Sequence, residues 1–493
     1  MFEHFVDGFR QLMTFQNIIL MNIGMFIGII FGVIPGLSAN VGIVLLLPFT
    51  FTLDPVSAMT LLCAIYCGGT YGGSVSAITI GTPGTNAAAA TLLDGYPLAQ
   101  KGQANKALMM ALVASTIGGT LSACALLFAS PAISKFTLNF GPPEYFALGV
   151  FGLSVIASIS GDNLCKGLLA GCFGVLISMV GLDEMSGALR FTFGQLRLMT
   201  GLGLVPVLLG LFAIAIILLR VYEEFRGSKE EKVFKLDKND KLTLPEVKQC
   251  LPDILRSTVI GSIIGAIPGV GTGVAAFISY NEAKRHSKYP EKFGAGAIEG
   301  VAAPETANNA VTGTSLIPLF TLGIPGSAVA ATLLGALMMH GLIPGPNLFR
   351  NQGPMIYAIM IGFVIMQLFM LVQGKFLSAF FAKVTTVPKV LLVSVLLVTC
   401  FAGAFSLNNS VFDIYILLVF GIISYTFRIL GIPAVPIILG YILGPVAEFN
   451  LRRALVMSDG SYSIFFTRPI SLIFLILTIV FIATLKKTTP KKA

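Results

Sequence analysis

Long apolar runs, broken at intervals by short clusters of Gly, Pro, Ser, Thr and Asn, set the pattern of this chain. The runs at 18–33, 56–80, 107–128, 145–160, 164–180 and 202–221 predict membrane-spanning helices. Those at 254–280, 353–372, 387–405, 412–427, 430–446 and 469–485 continue the series. With re-entrant or broken pieces such as 41–53, the expectation is about ten to twelve crossings. Residues 1–16 set Phe2, Phe5, Phe9 and Met13 against Glu3, His4, Asp7 and Arg10, the pattern of an interfacial helix. Polar intervals predict a loop at 93–106, a surface segment at 183–197 and a basic loop at 281–292. Residues 444–460, with Glu448, Arg452, Arg453 and Asp459, are expected as a cytoplasmic amphipathic segment or docking surface whose arginines reach lipid headgroups.

Two boxes occur twice, in the same order. GVIPGLSANVG from Gly32 is echoed by GAIPGVGTGVA from Gly265, and GTPGTNAAAATLL from Gly81 by GIPGSAVAATLL from Gly323. Pro35 and Pro83 are 48 residues apart, and Pro268 and Pro325 are 57 apart. Ordered pairs at similar spacing imply a duplicated unit. The division expected is a first membrane unit at 1–221, a hydrophilic cytoplasmic connector at 222–253, a second unit with added C-terminal helices at 254–485, and a basic cytoplasmic tail at 486–493. The loop between the boxes carries Lys284, Arg285, Lys288 and Lys292 in the second unit, whereas its counterpart around Asp54 has neither Lys nor Arg. After the second box the bias reverses, with Lys101 and Lys106 in the first unit. Equivalent loops on opposite sides predict inverted repeats.

Composition strengthens this reading. The 493 residues are 55% hydrophobic and only 11% charged, too apolar for a soluble domain and pointing to an all-α polytopic membrane protein. The net charge of +9 is taken as topology-setting Lys and Arg in loops, not as a nucleic-acid surface. His4, His286 and His340 form no ligand-spaced cluster, so neither an enzyme nor a resident metal is expected; no cofactor is expected beyond a coupling sodium ion or proton.

Proline removes a backbone donor and adjacent glycines permit a turn, so each box should interrupt a helix: Gly32, Pro35, Gly36; Pro83, Gly84; Pro268, Gly269; Pro325, Gly326. Broken helices free N-terminal amides, which suit an anion. The polar residues beside the breaks are therefore the expected substrate contacts: Ser38, Asn40, Thr82, Thr85, Asn86, Thr272 and Ser327. Acids at membrane depth are costly and serve transport or pairing. Glu299 and Glu305, with Asn308, Asn309 and Thr312 following at helical spacing, are the expected cation-coupling group.

The chain resembles the TctA-type large permease subunit of the tripartite tricarboxylate transporters. The matching stretches are GVIPGLSANVG (32–42), YGGSVSAITIGTPGTNAAAATLLDG (71–95), GAIPGVGTGV (265–274), EGVAAPETANNAVTG (299–313), IPLFTLGIPGSAVAATLLGAL (317–337) and ILGPVAEFNLRRALVMSDGSYSIFFTRP (442–469). The resemblance implies a multi-pass protein of the bacterial inner membrane. It implies import of organic carboxylates by alternating access, driven by sodium or protons and not by ATP. It also implies two protein partners, a small four-span TctB-type subunit and a periplasmic TctC-type solute-binding protein, besides the carboxylate and membrane lipid. Tri- and dicarboxylates are the substrates expected first; an aromatic acid carrier and an anion channel are the alternatives.

Overall fold

The computed structural model describes residues 2–137, 140–159, 164–183, 185–225, 240–384 and 389–488. Asp162, Glu184, most of the connector (226–239) and the end of the tail (489–493) lie outside the described residues. The protein is an all-α polytopic membrane protein; among the described residues the only strands are β1 (Gly181–Leu182) and β2 (Leu189–Arg190), an antiparallel pair.

The N-terminal half, the first unit in sequence order only, runs α1 (Phe2–Leu12), α2 (Phe15–Val33), α3 (Ala39–Thr50), α4 (Pro55–Ile80), α5 (Ala88–Gln100) and α6 (Ala104–Thr137). It continues through α7 (Pro142–Ile159), α8 (Leu164–Ser178), the hairpin, α9 (Leu204–Leu208), a π-helical turn at Leu209–Ile214 and α10 (Ala215–Phe225). The second unit runs α11 (Leu244–Ala266), α12 (Gly271–His286), α13 (Glu299–Thr314), α14 (Leu316–Leu322), α15 (Ala328–Met339), α16 (Pro346–Asn351) and α17 (Gly353–Val384). It ends with α18 (Lys389–Asn408), α19 (Val411–Ile429), α20 (Val435–Met457), α21 (Ile464–Thr467) and α22 (Pro469–Thr488). Among the described residues seven segments are long and apolar enough to cross a membrane: α2, α4, α6, the continuous α9–α10 segment, α17, α18 and α19. Shorter apolar helices, α3, α8, α15 and part of α22, accompany them.

Helix α4 is the axis of the molecule; its apolar window is wholly buried. Its CGGTYGG sequence lets α2 approach at backbone contact. A Cβ on Gly28 would lie 2.5 Å from the Ile65 carbonyl oxygen, and one on Gly72 would lie 2.3 Å from that of Ile29. Small residues at such crossings allow the dispersion contact that drives helix association in lipid. The boxes end helices as the sequence predicts. Gly81 (φ 71°) closes α4 and Gly323 (φ 74°) closes α14, both left-handed.

Three boundaries differ from the expectation. The polar loop at 93–106 is largely α5, because Asp94 turns inward to partners instead of outward to water. Helix α11 begins ten residues early, at Leu244, where Thr243 and Glu246 form a capping box. Residues 444–457 do not break away as a surface segment but extend α20. Their charges are absorbed by a closed ion-pair ring with the hairpin: Arg190 and Arg452 each bind both Asp183 and Glu448 at 2.6–2.9 Å. The Ser186 hydroxyl, followed by Arg452 and Arg190, holds the Asp183 carboxyl well below the usual carboxylate range.

Helix ends meet at two faces. At one, Asn105 and Lys106 bond to Asp240 and Glu246, and Lys101 donates to the Ala295 carbonyl at 2.6 Å. At the other, Thr50 bonds to His340 at 3.0 Å, and the Gly8 and Gly353 backbones lie against residues 354–358 and His4. Asn450 and Arg453 line a cavity with Asn347 and Gln352, next to this second face.

The close approach at the breaks yields a stability prediction. A Cβ on Gly84 would sit 2.1 Å from the Gly32 carbonyl oxygen. Gly84→Ala should therefore lower thermal stability in detergent by about 2 kcal/mol or more, through overpacking; an unchanged melting curve would contradict the box-to-box contact.

Candidate functional site

Within each unit the two boxes touch. In the first unit a Cβ on Gly84 would lie 2.1 Å from the Gly32 carbonyl oxygen, and the Gly84 amide donates to the Gly73 carbonyl of α4 at 3.1 Å. In the second, the Gly326 amide donates to Ser315 at 3.2 Å and its carbonyl accepts from Gly269 at 3.3 Å. Between units the contacts cross over. Thr332 on α15 donates to Asn40 Oδ1 on α3 at 3.2 Å. The first turn of α12 lies against Asn86, 3.8 Å from a Cβ built on Gly273. Tyr66 of α4 bridges both sides of the second unit's break, bonding Ser315 at 3.2 Å and Ser327 at 3.1 Å.

The expected substrate residues thus gather around the paired breaks, with different freedom. Asn86 is exposed, while Ser38, Asn40, Thr82, Thr85 and Thr272 are half-buried. Thr85 accepts from the Ala88 amide at 3.3 Å. Ser327 is buried and already caps α15, accepting from Ala330 at 3.1 Å, so its hydroxyl is committed to structure in this conformation.

The two acids of the second unit are not brought together. Glu299 sits half-buried in the first turn of α13 and accepts from Gln249 of α11 at 2.5 Å. Glu305 lies two turns deeper and is fully buried. Its Oε1 accepts from Ser74 at 2.5 Å and from Thr91, and its Oε2 accepts from Ser115 at 3.1 Å. These hydroxyls come from α4, α5 and α6, so one carboxylate of the second unit ties three helices of the first. Among the described residues no Lys, Arg or His pairs with it.

Asn308 and Asn309, expected on the same face as Glu305, leave α13 toward different helices. The Asn308 amide donates to the Thr70 carbonyl of α4 at 3.4 Å, and that of Asn309 donates to Ser115 of α6 at 2.8 Å and to the Glu305 carbonyl at 3.1 Å. Thr312 bonds back to the Asn309 carbonyl at 2.6 Å. The side-chain oxygens of Asn308 and Asn309 are buried without a donor.

Sequence reasoning missed Ser74, Thr91, Ser115, Tyr66 and Asp94. Ser74 precedes a recognised box and Thr91 lies within it, but Ser115 stands in an apolar run with nothing local to mark it. Asp94 is the most connected of them. Its Oδ1 accepts from the Gly294, Gly296 and Ala297 amides at 2.9, 2.7 and 2.8 Å, and its Oδ2 accepts from the Tyr280 hydroxyl at 2.8 Å. It thereby fixes the entry to α13, the helix that carries Glu305. Asp94→Ala strips four donors, two of them buried, of their acceptor and should cost about 1–3 kcal/mol. Differential scanning fluorimetry of the purified protein checks this; a loss no larger than that of an ordinary surface substitution would remove Asp94 from this role.

The chain matches the sequence profile of the tripartite tricarboxylate transporter TctA family over residues 18–439. It is 39% identical over 464 residues to an Agrobacterium vitis protein described as an uncharacterized 52.8 kDa protein in the TAR-I ttuC' 3' region, covering 94% of this chain and 92% of that one. A second Agrobacterium vitis protein, described as lying in the TAR-II ttuC' 3' region, is 40% identical over 234 residues, 47% of this chain and 97% of its own. No solved structure matches. With the profile spanning most of the chain and a relative aligned nearly end to end, the protein belongs to the tripartite tricarboxylate transporter TctA family, a family of membrane transporter subunits.

Proposed function

We propose that the chain is the large membrane subunit of a secondary transporter importing organic carboxylates, tri- or dicarboxylates first, by cation symport and alternating access. The observation that carries this reading is the pairing of helix breaks across two units, with a buried, uncompensated carboxylate bonded across the same junction. Broken helices meeting near the membrane interior supply amides and hydroxyls for an anion. A buried acid supplies the place for a cation, and co-binding a cation offsets the cost of moving an anion into a negative interior.

In this reading the units are inverted repeats. The face bearing Lys101, Lys106, Lys284, Arg285, Lys288 and Lys292 is cytoplasmic, and the C-terminus is on the same side. The opposite face, with α1, is periplasmic in an inner membrane. Substrate is bound by Asn40, Asn86, Thr85 and Thr272, and the cation by Glu305 with its hydroxyl partners. A four-span small subunit and a periplasmic binding protein complete the machine; the family's tripartite name supports partners of this kind.

Proteoliposomes containing the complete complex should accumulate at least one member of a panel of radiolabelled citrate, tartrate, succinate and benzoate when a sodium or proton gradient is imposed, with saturable kinetics. Asn40→Ala and Asn86→Ala should each weaken uptake about tenfold, as loss of a polar substrate contact does. Uptake by neither gradient, or a non-saturating conductance, would overturn the carrier reading; normal affinity and rate in both variants would remove these residues from the site.

A further inference from the structure

Two arginines stand side by side in the last turns of α20, and only one of them is held by protein acids. Arg452 is bound into the ion-pair ring with Asp183 and Glu448. Arg453 is exposed and meets no acid among the described residues. Its guanidinium lies over the Phe449 ring, 5.4 Å from the centroid. Arg453 and Phe449 both line a partly open cavity of about 750 Å³.

That cavity has a direction. Along α20 its wall is made by Ile442, Leu443, Val446, Phe449, Asn450 and Arg453, a spacing that places all six on one helical face. From Ile442 to Arg453 the helix rises about 16 Å. This is one leaflet's share of a hydrocarbon core about 30 Å thick. Ile442 and Leu443 are buried, while Val446 and Phe449 are each 37% exposed although apolar. The buried end abuts the break of the second unit. A Cβ on Gly152 would lie 2.9 Å from Leu443 and 3.5 Å from Ile324, and Gly323 and Ile324 themselves line the cavity.

Arg453 is the one charged residue on this wall among the described residues, so the occupant that complements it is an anion. Apolar side chains from α7, α15 and α20, such as Leu148, Leu334 and Ile442, ask for an apolar body as well. A small polycarboxylate would leave that end without a partner. A partner helix as long as the α20 wall and about 10 Å wide would need on the order of 1,200 Å³, more than the cavity offers. A lipid chain is slimmer, and guanidinium binds phosphate through paired hydrogen bonds. We propose that the cavity holds an anionic phospholipid, with its phosphate on Arg453 and one acyl chain along α20 to the helix break at Gly323. The polar amide of Asn450, one turn before Arg453, lies at the headgroup end of the same face. Lipid at this wall is independent of what the protein carries.

Native mass spectrometry of the purified full chain in detergent tests this, with phosphatidylglycerol and phosphatidylethanolamine of identical acyl chains added singly. The first phosphatidylglycerol should bind about fivefold more tightly, the attraction of one arginine for anionic lipid. Arg453→Gln should erase that preference, and Arg453→Lys, which keeps the charge, should retain it. Val446→Trp fills the wall without touching the charge and should weaken both lipids alike, by about tenfold. Melting temperatures without added lipid should stay within about 2 °C for the Arg453 variants, as for surface substitutions elsewhere. Equal binding of the two lipids by wild type, or a preference that survives Arg453→Gln, would overturn the proposal. So would displacement of the lipid by millimolar glycerol 3-phosphate or citrate, which would mark a site for a free anion. A photoreactive residue replacing Phe449 in native membranes should capture lipid; capture of a second protein chain instead would also overturn it.

Discussion

The structure depends on one buried carboxyl group and how it is held. Glu305 offers its oxygens to hydroxyls from three helices of the other unit, with no basic residue among the described residues to balance it. Such a bond set is strong because the low-dielectric interior sharpens each hydrogen bond, and exacting because any unsatisfied member costs free energy. It explains why α13 is buried along its length although it carries Glu, Thr and Asn. It also makes the two units a single object: changing the charge at Glu305 changes what α4, α5 and α6 have to bind.

The rest of the architecture brings that carboxylate to the helix breaks. Glycine-to-backbone contact packs α2 on α4, and box-to-box bonds fix where each unit turns. Asp94 gathers three amides and Tyr280 at the entry to α13. On the other side, the links between α3 and α15 are neutral, Asn40 to Thr332 and Thr50 to His340. The two ends of the junction therefore differ in strength, one anchored by a multiply bonded carboxylate and the other by single side-chain bonds.

Much of this was legible in the sequence because the information is local. Apolar run length, the Gly–Pro boxes and their duplication are read along the chain, and the helices end where those boxes stand. Glu305 was conspicuous too, since it is a Glu inside an apolar stretch. What was hidden is what arises only from chain crossing. Ser115 is unremarkable until α6 meets α13, and Asp94 reads as a loop residue until its partners, about 200 positions away, satisfy it. Helical spacing also grouped Asn308 and Asn309 with Glu305, yet neighbours four residues apart or fewer still diverge when different helices flank them.

In the proposed carrier this cage joins ion movement to substrate movement and does not merely support the fold. It is tested most directly by measuring ion influx and radiolabelled carboxylate influx together in proteoliposomes bearing wild type or Ser115→Ala. The variant should change the ratio of the two fluxes, with ions leaking in uncoupled from carboxylate. An unchanged ratio, with both fluxes merely slower by the same factor, would contradict it.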